Sequence, residues 1–246
     1  MLGQILLATF LGSVVSLGGG VLLLWREQLA KRFALTLVGF AAGSLMAASF
    51  FELIPDVLEI REVSYQSLAF ALISGILIFF LFEKFLKWYH CHDQEKCDYH
   101  TFSGAVLFGD ALHNFVDGIS IALSFLLSPA AGVTTAIAVF AHEIPQEIGD
   151  FGVLLHAGYS RARVFWYNVL TALTALGGAV LGYLLPLSSL LIGILLAFIA
   201  GSFLYIAVSD LLPELRHRTS KVEGEHILSI ILGVLMVWAV GIFLPE

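Results

Sequence analysis

Eight apolar runs, each long enough to cross a bilayer, follow one another along this chain and leave room for few other architectures. They fall at about 2–24, 34–54, 66–88, 104–127, 130–156, 164–184, 188–211 and 226–244. The breaks read "WREQLAKR", "PDVLEIREVSYQ", "KWYHCHDQEKCDYH", "SPAAG", "GYSRAR", "LLPLSS" and "LRHRTSKVEGEH". A helix needs roughly 20 mostly apolar residues to span ~30 Å of hydrocarbon. The alternative, a soluble domain that buries eight apolar helices, fails on charge. A soluble chain carries about a quarter of its residues as charges, whereas this one has 13% against 59% hydrophobic residues. The sequence therefore predicts an all-α integral membrane protein with eight transmembrane helices in a lipid bilayer. No linker separates domains, so residues 1–246 form one transmembrane domain.

Loops rich in Lys and Arg stay cytoplasmic. Arg26, Lys31, Arg32, Lys84, Lys87, Lys96, Arg161, Arg163, Arg216, Arg218 and Lys221 all lie in or beside odd-numbered loops, and only Arg61 lies in an even one. Odd loops are expected inside and both termini outside, in a plasma or inner membrane. The start of the chain has no basic residue before Arg26 and no small-residue cleavage site, so it reads as the first span and not as a signal peptide. The net charge of −7 reflects acids in the outer loops, the helices and the third loop, and no nucleic-acid partner is expected.

An internal repeat adds topology. Residues 42–56, "AGSLMAASFFELIPD", align without gaps to 200–214, "AGSFLYIAVSDLLPE". Ala-Gly-Ser, Leu53/Leu211, Pro55/Pro213 and the acidic pairs Glu52/Asp210 and Asp56/Glu214 coincide. The second helix runs outward and the seventh inward, which marks an inverted-topology repeat of the kind secondary transporters use for alternating access. Chance similarity between two apolar helices would not match the acids and prolines as well. The expected arrangement is 3+2+3, with helices 1–3 and 6–8 repeated around helices 4 and 5.

Polar residues concentrate in those two central helices. The fourth carries "GDALHNFVDG" and the fifth "AHEIPQEIGDF". At 100° per residue, Asp110, His113, Asn114 and Asp117 share one face, as do His142, Glu143, Gln146 and Asp150, with Glu147 just outside. A charge at the centre of a spanning helix costs about 2.5–3.5 kcal/mol. Left bare, the five acids of the two stripes would cost on the order of 10–15 kcal/mol, comparable to a whole domain's stability. No Lys or Arg occurs in residues 100–160, so protons or metal ions must neutralise them. Imidazole beside carboxylate suits divalent transition metals such as zinc. His113 with Asp117 and His142 with Gln146 are i,i+4 pairs able to converge on one ion. Asn114 with Asp117 and Glu143 with Gln146 are i,i+3 pairs displaced around the helix, so two neighbouring sites sharing Asp117 or Gln146 follow from the spacing. Pro145 frees the Ala141 carbonyl and bends the helix. Interhelical hydrogen bonding by buried polar side chains is the competing reading of the same stripes.

At these residues the chain resembles the ZIP (Zrt/Irt-like) divalent metal transporters. "HNFVDG" and "HEIPQEIGDF" are closest to the branch with HNxxDG and HExPHExGD motifs. The likeness extends to eight spans, outside termini, a histidine-bearing third loop and "AGSFLYIAVSDLLPE" in helix 7. It implies a binuclear metal site between helices 4 and 5, transport of zinc or a related divalent ion (Cd2+, Fe2+ or Mn2+) toward the cytoplasm, and a homodimer. By position, His113 and His142 would belong to a first site. Asn114, Asp117 and Glu143 would belong to a second, with Gln146 bridging or flanking. The departure is Gln146, where that branch has histidine. An amide oxygen is a weaker, harder ligand than imidazole, which broadens metal preference and leaves bridging to Asp117.

Other candidates are accessory. Glu52 and Asp56 near the outer face attract the cation on its way in, and Asp210 and Glu214 near the inner face receive it, unless all four are simply solvated. Ser44 and Met46 lie near mid-depth and could complete a coordination shell. His90, Cys91, His92, Cys97 and His100 make the cytoplasmic third loop a candidate metal acceptor, while a disulfide is not expected in a reducing compartment. His156 lies toward an exit path. Two other functions compete with a carrier: a divalent-cation channel, and an intramembrane metallohydrolase, since "HEIPQ" resembles the HExxH zinc-protease motif with Gln146 in place of its second histidine.

Overall fold

The computed structural model describes residues 1–90, 99–216 and 223–243. Every regular element among the described residues is helical. Helix α1 comprises Leu2–Thr9, a π-helical turn Phe10–Val14 and Gly18–Trp25. Helix α2 runs Glu27–Ala47, a π-helical turn Ala48–Leu53 and Ile54–Glu59. Then come α3 (Tyr65–His90), α4 (Tyr99–Leu127), α5 (Pro129–His156) and α6 (Arg161–Leu184). Helix α7 is Ser189–Tyr205, a π-helical turn Ile206–Leu211 and Leu212–Arg216, and α8 is Glu223–Phe243.

Local chemistry explains the boundaries. Serines at 128, 160 and 188 cap α5, α6 and α7, each hydroxyl accepting from the backbone N–H three residues on, at 3.0 Å for Ala131. Such a cap satisfies one of the orphan donors of a first turn. The first break is shorter than the sequence suggests. "EQLAKR" is helical from Glu27 onward, with only Arg26 departing from helical geometry at φ −136°, ψ 58°, because these are strong helix formers free of Gly and Pro. The second break also shrinks, since α2 continues to Glu59 past Pro55. Proline cannot donate, and its ring crowds the carbonyl four residues back. Pro55 and Pro213 each stand two residues beyond the end of a π-helical turn, so the carbonyl four residues back lies within the turn, whose wider winding relieves that crowding.

Among the described residues, seven helical segments are long and apolar enough to cross a membrane: Leu2–Trp25, Leu35–Glu59, Tyr65–Phe85, Leu107–Leu127, Arg161–Leu184, Ser189–Ser209 and Gly224–Phe243. Helix α5 is 28 residues long but falls outside that set, because the polar residues from His142 to Asp150 dilute its hydropathy. Large apolar side chains cover the outside of the bundle, such as Phe70 at 76% and Trp166 at 61% exposure. Such a surface needs lipid around it.

The repeat legible in residues 42–56 and 200–214 extends into the packing. Helix α2 packs on α8, and α3 packs on α7. A Cβ on Gly43 would collide with the Ile230 carbonyl, and one on Gly201 with the Leu72 carbonyl. A Cβ on Gly75 would meet the Phe198 carbonyl, and one on Gly233 the Phe40 carbonyl. Adding 158 to the first member of each relation generates the second: 43 to 201, 72 to 230, 75 to 233, 40 to 198. The π-helical turns Ala48–Leu53 and Ile206–Leu211 obey the same shift. Close backbone approach through small residues is how helices associate where lipid removes the hydrophobic drive.

Among the described residues, two large apolar clusters and a small one of Ala47, Ala48, Ala138 and Val237 fill the interior, and the two large ones flank the site. One gathers Ile5, Leu45, Ile121, Val139, Leu196 and Phe203. The other gathers Leu17, Leu23, Ile148, Phe151, Leu154 and Val164. Along α4 and α5 the polar stripe falls between them, with Ile121 and Val139 on one side and Ile148 and Phe151 on the other. Because neither backbone can retreat, Gly43→Val and Gly201→Val should each destabilise the protein by about 3 kcal/mol or more. Gly3→Ala, at a position with nothing within 4 Å of the added carbon, should be silent. Thermal unfolding of the detergent-purified variants checks this.

Candidate metal centre

Helices α4 and α5 turn their stripes toward each other. His113 is the fifteenth of 29 residues in α4 and His142 the fourteenth of 28 in α5, so both sit at mid-helix. Their Nε2 atoms lie 3.0 Å apart. The tautomer of His142 is fixed from behind: Nδ1 lies 3.0 Å from the Ala138 carbonyl. A carbonyl only accepts, so Nδ1 donates and Nε2 presents its lone pair. Phe203 of α7 packs against the same ring at 5.8 Å between centroids. A ligand imidazole held by such an outer hydrogen bond is oriented before any ion arrives.

Two carboxylates close around the imidazoles. Asp117 Oδ2 lies 3.1 Å from His142 Nε2 and 3.5 Å from His113 Nε2. Glu143 Oε1 lies 3.6 Å from His113 Nε2 and 3.8 Å from His142 Nε2. Ligands about 2.0–2.2 Å from a tetrahedral zinc stand about 3.3–3.6 Å from one another. The five separations, 3.0 to 3.8 Å, bracket that edge length, and the N2O2 donor set fits zinc chemistry. Asp117, Glu143 and His142 are at most 1% exposed, and His113 is 9% exposed.

A second group adjoins the first: Asp110, Glu143 and Glu147 bring carboxylate oxygens within 4.8 Å of one another. Glu143 belongs to both groups. Asn114 Nδ2 donates to Asp110 Oδ1 at 2.9 Å, and Gln146 Nε2 donates to the same oxygen at 3.1 Å. Both oxygens of Asp117, Glu143 and Glu147, together with one of Asp110 and one of Asp150, are buried without a hydrogen-bond donor. Carboxylates in that condition are expensive unless a cation reaches them.

Asp117 has its Oδ2 against both imidazoles, in keeping with its i,i+4 spacing from His113, and the carboxylate common to the two groups is Glu143. Ser44 is buried, and its hydroxyl donates back to the Phe40 carbonyl at 2.9 Å. Met46 packs against the first apolar cluster. Glu52 lies against Gly241 of α8, and with Asp56 and Glu59 it lines a cavity of about 370 Å3 beside Pro55 and Trp238. The side chains of Asp210, Glu214, His156, His90 and His100, and all of Cys91, His92 and Cys97, lie outside the described residues. Sequence reasoning passed over α6. There Thr174 donates to the Ala111 carbonyl of α4 at 2.6 Å, and Thr171 sits beside the Asp110 carboxylate. Asn168, Thr171 and Thr174, spaced three apart in an apolar helix, were the available signal.

The fold and site define a helical membrane protein with a buried carboxylate–imidazole centre. Comparison with known proteins gives its family. The family described as ZIP Zinc transporter matches residues 89–241, and the chain belongs to it. It is 43% identical over 132 residues to "Zinc transporter ZIP10" of Danio rerio, covering 52% of this chain and 16% of that protein. It is 40% identical over 139 residues to "Zinc transporter foi" of Drosophila melanogaster, covering 56% and 19%. A longer match, 28% identical over 278 positions and covering 85% and 60%, is to "Metal cation symporter ZIP14" of Xenopus tropicalis. The chain thus corresponds to less than a fifth of the length of the first two relatives. The family is one of transporters and not enzymes, which removes the metallohydrolase alternative.

If the centre takes zinc, the ion binds only the folded protein. Zinc at about 100 times its dissociation constant should then raise unfolding stability by about 2.7 kcal/mol, and EDTA should reverse the gain. His142→Ala should abolish the shift, as read by thermal unfolding with and without metal.

Proposed function

We propose that this chain carries zinc, or a related divalent transition-metal ion, across a membrane toward the cytoplasm through a binuclear midplane site between α4 and α5. One ion is held by His113, His142, Asp117 and Glu143. The other is held by Glu143 and Glu147 with the amide oxygens of Asn114 and Gln146. The observation that carries the reading is the convergence of two imidazoles and two carboxylates at mid-helix, where the chain supplies no Lys or Arg. The names of the ZIP10, foi and ZIP14 relatives point to the same class of cargo.

We place eight spans in a 3+2+3 arrangement, with α1–α3 and α6–α8 as the inverted repeat. The glycine contacts related by a shift of 158 support it. Both termini face out, by the Lys/Arg bias of the odd loops, and the protein works as a homodimer in a plasma or inner membrane. Apolar clusters on both sides of the buried site favour a carrier over an open channel: a permeant ion meets a seal in either direction, and one cluster must part at a time. Such a device is expected to saturate.

Proteoliposome uptake of zinc or cadmium tests this directly. Saturable flux is expected, and Asp117→Ala should lower it by at least about 100-fold, in line with loss of a metal ligand held by a tuned outer shell. Flux that rises linearly with metal at all concentrations would make the protein a channel. Full flux in Asp117→Ala would remove the stripe from the pathway.

A further inference from the structure

Asp110 is a hub that neither the carrier mechanism nor the family motifs use. It is 5% exposed and lies one turn before His113 on α4. Its Oδ1 receives the Nδ2 of Asn114 at 2.9 Å from its own helix and the Nε2 of Gln146 at 3.1 Å from α5. Asn114 Nδ2 also lies 3.3 Å from the Asp110 main-chain carbonyl. Asp110 is held in turn from α6, where Thr171 sits beside it and Thr174 bonds the carbonyl of its neighbour Ala111.

A primary amide has two ends: an NH2 that only donates and an oxygen that only accepts. With both NH2 groups committed to one carboxylate oxygen, Asn114 and Gln146 have only their carbonyl oxygens to offer an ion. Asn114 Oδ1 is buried and has no hydrogen-bond donor. Were either amide to turn over, its NH2 would face the ion and repel it. We propose that Asp110 is a positioning residue that holds Asn114 and Gln146 oxygen-first. The half of the centre remote from the imidazoles thereby becomes an all-oxygen pocket that admits oxygen-preferring dications such as Mn2+ beside Zn2+. Carbonyl and carboxylate oxygens suit manganese, whereas imidazole suits zinc. The inference rests on the reading of these residues as a metal centre. It adds that the two halves differ in chemistry and that Asp110 sets the difference through other side chains.

Substitutions separate this role from direct ligation. Asp110→Asn keeps a carbonyl oxygen able to accept both amides but replaces the second carboxylate oxygen with NH2. Asp110→Ala removes both functions. The readouts are equilibrium binding to the purified full chain in detergent, Zn2+ by chelator competition and Mn2+ by the paramagnetic resonance of the free ion, with thermal unfolding as the check on folding. Asp110→Ala should weaken Mn2+ binding by more than about tenfold while changing Zn2+ binding by less than about threefold, and Asp110→Asn should recover most of the lost Mn2+ affinity. Gln146→His, which does not depend on Asp110→Ala folding, should lower the Mn2+-to-Zn2+ affinity ratio by about tenfold. If Asp110→Asn loses as much Mn2+ affinity as Asp110→Ala, Asp110 is a ligand and the positioning role is overturned. An unchanged ratio in Gln146→His overturns it as well. A parent protein that binds Zn2+ but no Mn2+ overturns this inference alone, while one that binds neither ion overturns the metal-centre reading with it.

Discussion

The structure turns on a charge imbalance. Asp117, Glu143 and Glu147 bring six carboxylate oxygens into the interior of a helical membrane bundle, and none of the six receives a hydrogen bond. The nearest nitrogens are the Nε2 atoms of the two imidazoles, which themselves stand 3.0 Å apart. Lone pairs gathered this closely in a medium of low dielectric repel one another. The rest of the bundle has to hold them together against that repulsion. A dication at the centre would convert the same arrangement from a liability into the tightest set of interactions in the molecule.

The scaffold meets this demand by making the surrounding helices rigid. Helices α2 and α8, and α3 and α7, approach through glycines whose contacts repeat at a shift of 158 residues. Helix α4 is clasped by α6 in a similar way, since a Cβ on Gly118 would strike the Ala175 carbonyl. Backbone-to-backbone packing of this kind has little slack. Aromatic and aliphatic clusters on either side of the polar layer keep water away, which strengthens every interaction within it. With both clusters closed, an ion could move only if one of them opened, which links the packing of the bundle to the carrier cycle proposed above.

Metal selectivity in such a site is a matter of which atoms face the ion. The imidazole side is set by a hydrogen bond from His142 to Ala138 and by ring packing against Phe203. The other side is oxygen-rich, and Gln146 stands there. Its amide is turned onto Asp110. The outer partners of the two halves therefore differ as much as the inner ones do.

Much of this was legible in the linear chain. Apolar runs, basic loops and two polar stripes define the helices and the centre, because hydrophobicity and charge act on a residue wherever it ends up. The repeat was legible through Glu52, Pro55, Asp210 and Pro213 for the same reason: a proline or an acid within an apolar run has local consequences. The extension of α2 through "EQLAKR" was not, since a helix that leaves the bilayer shows no apolar signature. Spacing paired Asp117 with His113, but it could not place Glu143 in both groups or reveal Thr171 and Thr174 of α6 as neighbours of α4. Periodicity fixes which residues share a face, but the rotation and depth of one helix against another are set by where glycines let backbones meet. Those tertiary contacts alone decided which oxygen of which acid stands beside which nitrogen.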